Sequence, residues 1–136
     1  MRFIGLGLAI ALVAGSAGAQ TAQQFDLTCS GTRVSEVDGP AEPYEYGFRI
    51  DLGTSRWCWD HCEVTYPIAE VGPDRIVLNE KSVDDYRERS STRNEVSRVT
   101  GVHTLSSISV RPLPRLYKVE GRCVPGPFTG FPAALF

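Results

Sequence analysis

From Tyr44 to Leu52 the chain alternates: Tyr44, Tyr46, Phe48, Ile50 and Leu52 are apolar, and Glu45, Gly47, Arg49 and Asp51 between them are charged or glycine. Successive side chains of an extended chain point to opposite faces, so this period of two predicts a strand with one buried face. The same pattern recurs at Tyr117, Val119 and Cys123, which share a face opposite Lys118, Glu120 and Arg122, and in short form at Phe25, Leu27 and Cys29. Weaker alternation predicts strands over residues 62–66 (Cys62, Val64, Tyr66), 75–79 (around Ile76 and Leu78), 95–100 and 102–110. The expected total is about seven or eight strands.

Turn-forming residues fall between these segments: Asp38-Gly39-Pro40, Gly53-Thr54-Ser55, Gly72-Pro73-Asp74, Thr100-Gly101, Pro112-Leu113-Pro114 and Pro125-Gly126-Pro127. They supply a positive or fixed φ where the chain must reverse. Turn signals about ten residues apart, with no helical period between them, point to antiparallel hairpins closing into a small all-β barrel or sandwich. Residues 79–95 fit least well. Glu80, Lys81, Asp84, Asp85, Arg87, Glu88, Arg89, Arg93 and Glu95 crowd this stretch with few apolar anchors. It reads as a solvated loop or the mobile tip of a long hairpin, the alternative being one or two helical turns opened by Ser82-Val83-Asp84-Asp85.

The first residues change the picture of where the domain works. Arg2 precedes an apolar run from Phe3 to Val13, followed by Ala17 and Ala19 before polar Gln20. This is the layout of a secretion signal at residues 1–19, cleaved after Ala19, and the run is shorter than the ~20 residues a spanning helix needs. No cysteine stands at the cleavage point to accept a lipid, the first being Cys29. Residues 20–136 are then one β domain, expected in the periplasm or the medium and soluble there. Loss of Arg2 leaves 13 Lys and Arg against 16 Asp and Glu, with the signs interspersed. Such a chain has no basic stripe for nucleic acid and no polybasic patch for anionic lipid.

Four cysteines in an exported domain point to disulfides. Three pairings are possible; Cys29 and Cys123 lie on the apolar faces of the first and last strands, so their union would join the ends of the sheet through its core. Cys58 and Cys62 then pair locally.

The most chemically loaded segment is Trp57-Cys58-Trp59-Asp60-His61-Cys62-Glu63. Thiolates and imidazole suit zinc or copper, and Cys58, His61 and Cys62, with His103 as a fourth, can be drawn as a metal set; yet this spacing does not recur in structural zinc sites and oxidised cysteines offer no thiolate. A redox-active disulfide is disfavoured by three intervening residues in an all-β setting. The two tryptophans pack a core, or stack against a flat ligand. Trp57, Trp59 and His61 are therefore the candidate ligand-binding residues, with no metal and no cofactor called for.

Catalytic signatures are absent: no phosphate-cradling glycine loop, no nucleophile elbow, no His-Glu-x-x-His. Ser106 or Ser107 with His103 and a distant acid, or the carboxylate pairs Asp84/Asp85 and Asp60/Glu63, are the only catalytic sets that can be drawn, and adjacent acids in a charged loop are usually just solvated. The chain ends on Phe136, as outer-membrane barrels commonly do, but Pro127 and Pro132 break the alternation of a last barrel strand. Phe128, Phe131 and Phe136 are expected to fold back and plug one end of the core.

Phe25-Asp26-Leu27-Thr28-Cys29-Ser30-Gly31, Arg98-Val99-Thr100-Gly101, Gly121-Arg122-Cys123 and Phe128-Thr129-Gly130-Phe131-Pro132 together resemble a group of uncharacterised small exported proteins of alphaproteobacteria, over most of the mature chain. Those motifs are a strand cysteine at each end plus turn glycines, so the resemblance implies a shared fold and transfers no activity. More distantly the chain is similar to small periplasmic lysozyme-inhibitor barrels, which also tie an early strand cysteine to a late one; the inhibitor loop motif has no counterpart here.

The sequence thus predicts a non-enzymatic exported barrel that binds a small ligand inside or a cell-envelope component at its aromatic rim. Two other functions remain open. One is inhibition of an envelope-directed hydrolase through an exposed loop at residues 84–93; the other is a metal or redox role at Cys58, His61 and Cys62.

Overall fold

The computed structural model describes residues 22–133. The secretion signal expected at residues 1–19 and Phe136 lie outside the described residues. Among the described residues nine strands follow one another without a helix: β1 (Gln24–Val34), β2 (Glu42–Asp51), β3 (Arg56–Trp59), β4 (Tyr66–Pro67), β5 (Glu70–Val71), β6 (Arg75–Asp84), β7 (Arg89–Ser97), β8 (Val102–Arg111) and β9 (Arg115–Gly126). All pair antiparallel in one sheet of order β4-β3-β2-β1-β9-β8-β7-β6-β5. The expected all-β, disulfide-stapled architecture is therefore present, on the barrel side of the barrel-or-sandwich choice.

Spatial order is chain order made circular. Each strand pairs with its neighbours in sequence, and β9 returns to pair with β1 over a long ladder from Asp26↔Gly126 to Val34↔Lys118. Only β4 and β5 do not pair, although just Ile68 and Ala69 separate them. The Ile68 N–H donates to Ser55 O at 3.0 Å and the Ala69 N–H to Val77 O at 2.9 Å. Two consecutive residues thus hold opposite ends of the sheet, which can happen only if the sheet has curled until its edges meet. Above this seam β3 stops at Trp59, and β6 residues 79–84 pair with β7 alone, so the wall is open there.

Apolar residues selected by the alternation line the inside. Leu27, Cys29, Tyr44, Phe48, Ile50, Trp57, Ile76, Leu78, Val96 and Val119 form the buried cluster, with Ile68 of the seam. A bulge between Val77 and Asn79 breaks the period of β6 and lets the consecutive residues Ile76, Val77 and Leu78 all be buried.

Three expectations are corrected. Residues 79–95 are not a loop: the β6–β7 ladder runs to Asp84↔Arg89, and only residues 85–88 form the tip. The tip closes because Asp85 Oδ1 accepts from the Arg87 and Glu88 N–H groups at 2.7 Å each, while Asp84 pairs with Arg89 and Arg111. Residues 62–65 are not a strand: φ is positive at Asp60 and Cys62, which ends the extended run, and Val64 is exposed. Phe128 and Phe131 do not plug the core. Thr129 donates its N–H and hydroxyl to the Asp26 carboxylate and Arg49 donates to Gly130 O, and both partners sit on the outer face of β1 and β2, where Phe128 and Phe131 meet edge to face.

Candidate functional site

The interior holds a cavity of about 600 Å³ between two unlike walls. One wall is a run of rings from β2, β3 and β4: Tyr46, Phe48, Trp57, Trp59 and Tyr66. Inward positions on neighbouring strands put them side by side, through the cross-strand pairs Phe48↔Trp59, Ile50↔Trp57 and Trp57↔Tyr66. Their centroids are 5.4 to 5.9 Å apart, edge-to-face for Tyr46–Trp59 and Phe48–Trp57 and tilted for Trp57–Tyr66. These are favourable geometries for aromatic contacts. Trp57 is anchored, its Nε1 donating to Pro67 O at 3.2 Å. Trp59 and Tyr66 keep 46% and 41% of their surface exposed. The opposite wall comes from β6 to β9, with Leu78, Asn79, Asn94, Leu105 and Tyr117. No lining side chain is charged.

Beside the cavity a buried polar relay runs from β2 through β8 to β7. The Tyr44 hydroxyl is 2.8 Å from His103 Nδ1, and His103 Nε2 is 2.8 Å from Asn94 Oδ1. With Asn94 Oδ1 facing it, an oxygen that only accepts, Nε2 is the donor and Nδ1 accepts the hydrogen bond of the Tyr44 hydroxyl. All three residues are buried. Burial pushes His103 down to about 4 and is the first cause raising Tyr44 to about 12, so the relay is neutral. With Oδ1 committed to His103, Asn94 has its NH2 group left for the cavity.

At the upper end the hydroxyls of Tyr46 and Tyr117 bond to each other. Burial, then that bond, raises Tyr46 to about 12. Arg33 is raised above its ordinary value by the two hydroxyls, and its Nε lies 3.4 Å from Glu42 Oε2 as an ion pair without a hydrogen bond.

Of the residues singled out in the sequence, Trp57 and Trp59 line the cavity together. His61 does not join them; it is exposed in the turn after β3 and absent from the lining. Both disulfides form as paired above: Cys29–Cys123 directly across β1 and β9, and Cys58–Cys62 around the turn. The second bond occupies both sulfurs, leaving no thiolate beside His61, and among the described residues no cluster of His, Cys, Asp or Glu is arranged to hold a metal. His103 bonds to Tyr44 and Asn94, not to a serine or an acid, while Ser107 bonds to Thr92 at 3.0 Å. Asn79, Asn94 and Tyr117 carry the cavity's polar side, with Tyr44 reaching Asn94 through His103, and none was picked out as a site residue; the pairing of His103 with Gly121 and of Asn94 with Leu105 exists only in the folded register.

The two disulfides are consistent with an oxidising extracellular or periplasmic setting, and no helix among the described residues is long and apolar enough to cross a membrane. No family of known proteins, no curated relative and no solved structure matches the chain.

Proposed function

We propose that this chain is an exported, non-enzymatic β-barrel that takes a small ligand into its aromatic-walled interior. The observation that carries the reading is the exposure of Trp59 and Tyr66 at an uncharged cavity of about 600 Å³. Ligand sites are concave and mostly apolar with a few placed polar groups, and this volume is in their usual range. Large aromatic faces left partly wet gain from being covered. Export is supported by the signal-like residues 1–19 and by the two disulfides. The test is tryptophan fluorescence of the oxidised protein titrated with the neutral probe phenylnaphthylamine. Saturable quenching that is lost in Trp59→Ala is expected; an unchanged spectrum at the probe's solubility limit contradicts the reading.

A second reading has one observation in its favour. Tyr86 at the β6–β7 tip is 81% exposed with the Arg87 guanidinium 5.0 Å above its ring, a projecting aromatic and cation of the kind that anchors protein contacts. It suits inhibition of an envelope-directed hydrolase through residues 84–93. Inhibition of such an enzyme that is lost in Tyr86→Ala and kept in Trp59→Ala is the outcome that selects it.

A further inference from the structure

We infer that the cavity is selective for an uncharged, flat aromatic molecule with a hydrogen-bond acceptor on one edge, and that the Asn94 amide is its specificity-determining contact. This rests on the interior-ligand reading and adds the chemistry of the ligand. Three observations carry it.

The first is the absence of charge. The lining contains no Asp, Glu, Lys, Arg or His, and Arg33, which lies outside the lining, is ion-paired with Glu42. A carboxylate or ammonium entering the cavity would lose its water and meet no counter-charge, which is a large desolvation penalty.

The second is the shape and chemistry of the β2–β4 wall. Tyr46, Phe48, Trp57, Trp59 and Tyr66 already meet one another edge-to-face or tilted, and Trp59 and Tyr66 still present surface to the cavity. A flat ring system can continue that arrangement with ring contacts beyond simple area burial, which a linear alkyl chain cannot supply.

The third is the relay. Tyr44 and His103 have no direct part in the cavity lining, yet Asn94 Oδ1 lies 2.8 Å from His103 Nε2, and that placement leaves the carboxamide NH2 on the cavity side. The carboxamide is therefore held as a donor toward the cavity. A buried donor set this way binds a ligand carbonyl or ring nitrogen and stays unpaired against a hydrocarbon, and sites with such a group discriminate strongly against analogues that lack the acceptor. His103 and Tyr44 act as positioning residues.

The experiment is calorimetric titration of the oxidised protein at neutral pH with four probes: acetylnaphthalene, ethylnaphthalene, naphthoate and dodecanol. Acetylnaphthalene is expected to bind about tenfold or more tighter than each of the others, one hydrogen bond's worth of discrimination. Asn94→Leu is expected to bind acetylnaphthalene and ethylnaphthalene equally. Should that variant not fold, Asn94→Asp keeps an oxygen for His103 and removes the amide hydrogens, and is expected to lose the acetylnaphthalene preference. Equal binding of acetyl and ethyl probes to the wild type, or tightest binding of naphthoate or dodecanol, overturns the ligand class and leaves the cavity reading standing. Binding of none of the four overturns both.

Discussion

Tyr44 and His103 stand on strands separated by two others, yet the phenol reaches the imidazole at 2.8 Å. The reason is a row across the sheet in which Tyr44 pairs with Gly31, Gly31 with Gly121, and Gly121 with His103. With no side chains on β1 and β9 at this level, the two flanking residues lean across and meet over the glycines. A Cβ on Gly121 would run into Ser30 O and the Tyr44 hydroxyl, and one on Gly31 into the Glu120 and Gly121 backbone. The glycines two positions along from the Cys29–Cys123 bond therefore serve close approach inside strands.

Gly121→Ala must either push β1 and β9 apart or displace Tyr44, and neither is a flexible chain end. Its expected cost is about 3 kcal/mol, at the severe end for an overpacked core. Tyr44→Phe leaves His103 Nδ1 unpaired at an expected cost of about 1 to 3 kcal/mol. Urea unfolding of both variants checks this, and a Gly121→Ala protein as stable as the wild type contradicts the row.

Stability should fall on mild acidification. His103 is held neutral with its pKa lowered to about 4, while in the unfolded chain it titrates near its ordinary value of 6.5. Between those values the unfolded state binds a proton that the folded state refuses, so stability rises with pH across that window and is flat above it. The shift corresponds to about 3 kcal/mol lost between neutral pH and pH ~4. Asp51, lowered first by its bond from Gln24, and Asp85, lowered by the Glu88 and Arg87 N–H groups, lose their contributions only at more acid pH. Unfolding free energy measured against pH should show the upper slope in the wild type and lack it in His103→Gln.

The two disulfides should differ in weight. Cys29–Cys123 closes a separation of 94 residues and Cys58–Cys62 one of 4. Loop-closure entropy gives about 4 to 5 kcal/mol for the long link and about 2 kcal/mol for the short one. Melting of Cys29→Ala/Cys123→Ala and Cys58→Ala/Cys62→Ala double variants should show the larger drop for the first pair. Protein made where the cysteines stay reduced should melt like a variant lacking both bonds, whereas equal melting with and without reductant would count against the role given to them.

Trp57 and Trp59 are two residues apart on one strand but do different work. Trp57 is buried in the core cluster and tied to Pro67, so Trp57→Ala is expected to cost about 3 to 5 kcal/mol. Trp59 is half exposed and gives up mainly its edge contact with Tyr46, about 1 kcal/mol. Trp59→Ala should therefore abolish probe binding in a protein that still unfolds cooperatively, and loss of fold in both variants would show that Trp59 is only core.

Much of this was legible in the chain because apolar and polar residues alternate wherever one face is dry. Strands β1, β2 and β9 announce themselves that way, and the same alternation put Cys29 and Cys123 on inner faces and so paired them. Trp57 and Trp59 were legible as candidates from their aromatic bulk and closeness, but β3, which puts them on one face, was not among the predicted strands. What failed was the wet end of the barrel. On β6 and β7 the inward row continues through Lys81, Ser90, Thr92 and Asn94, polar residues lining a polar mouth, so both faces are hydrophilic and residues 79–95 lost their strand signature. Asn94 was hidden in that stretch. His61 drew attention through its neighbours in sequence, yet positive φ at Asp60 and Cys62 carries the chain out of β3 into a turn, where its side chain is exposed.

The central claim is that the ring-walled interior is a binding site, and heteronuclear NMR of the oxidised protein titrated with acetylnaphthalene tests it most directly. The indole signals of Trp57 and Trp59 and the side-chain amide of Asn94 should shift together and saturate, with Tyr86, Arg87 and His61 unchanged. Saturable shifts confined to residues 84–93, or no shift of the indole signals at the probe's solubility limit, would contradict it.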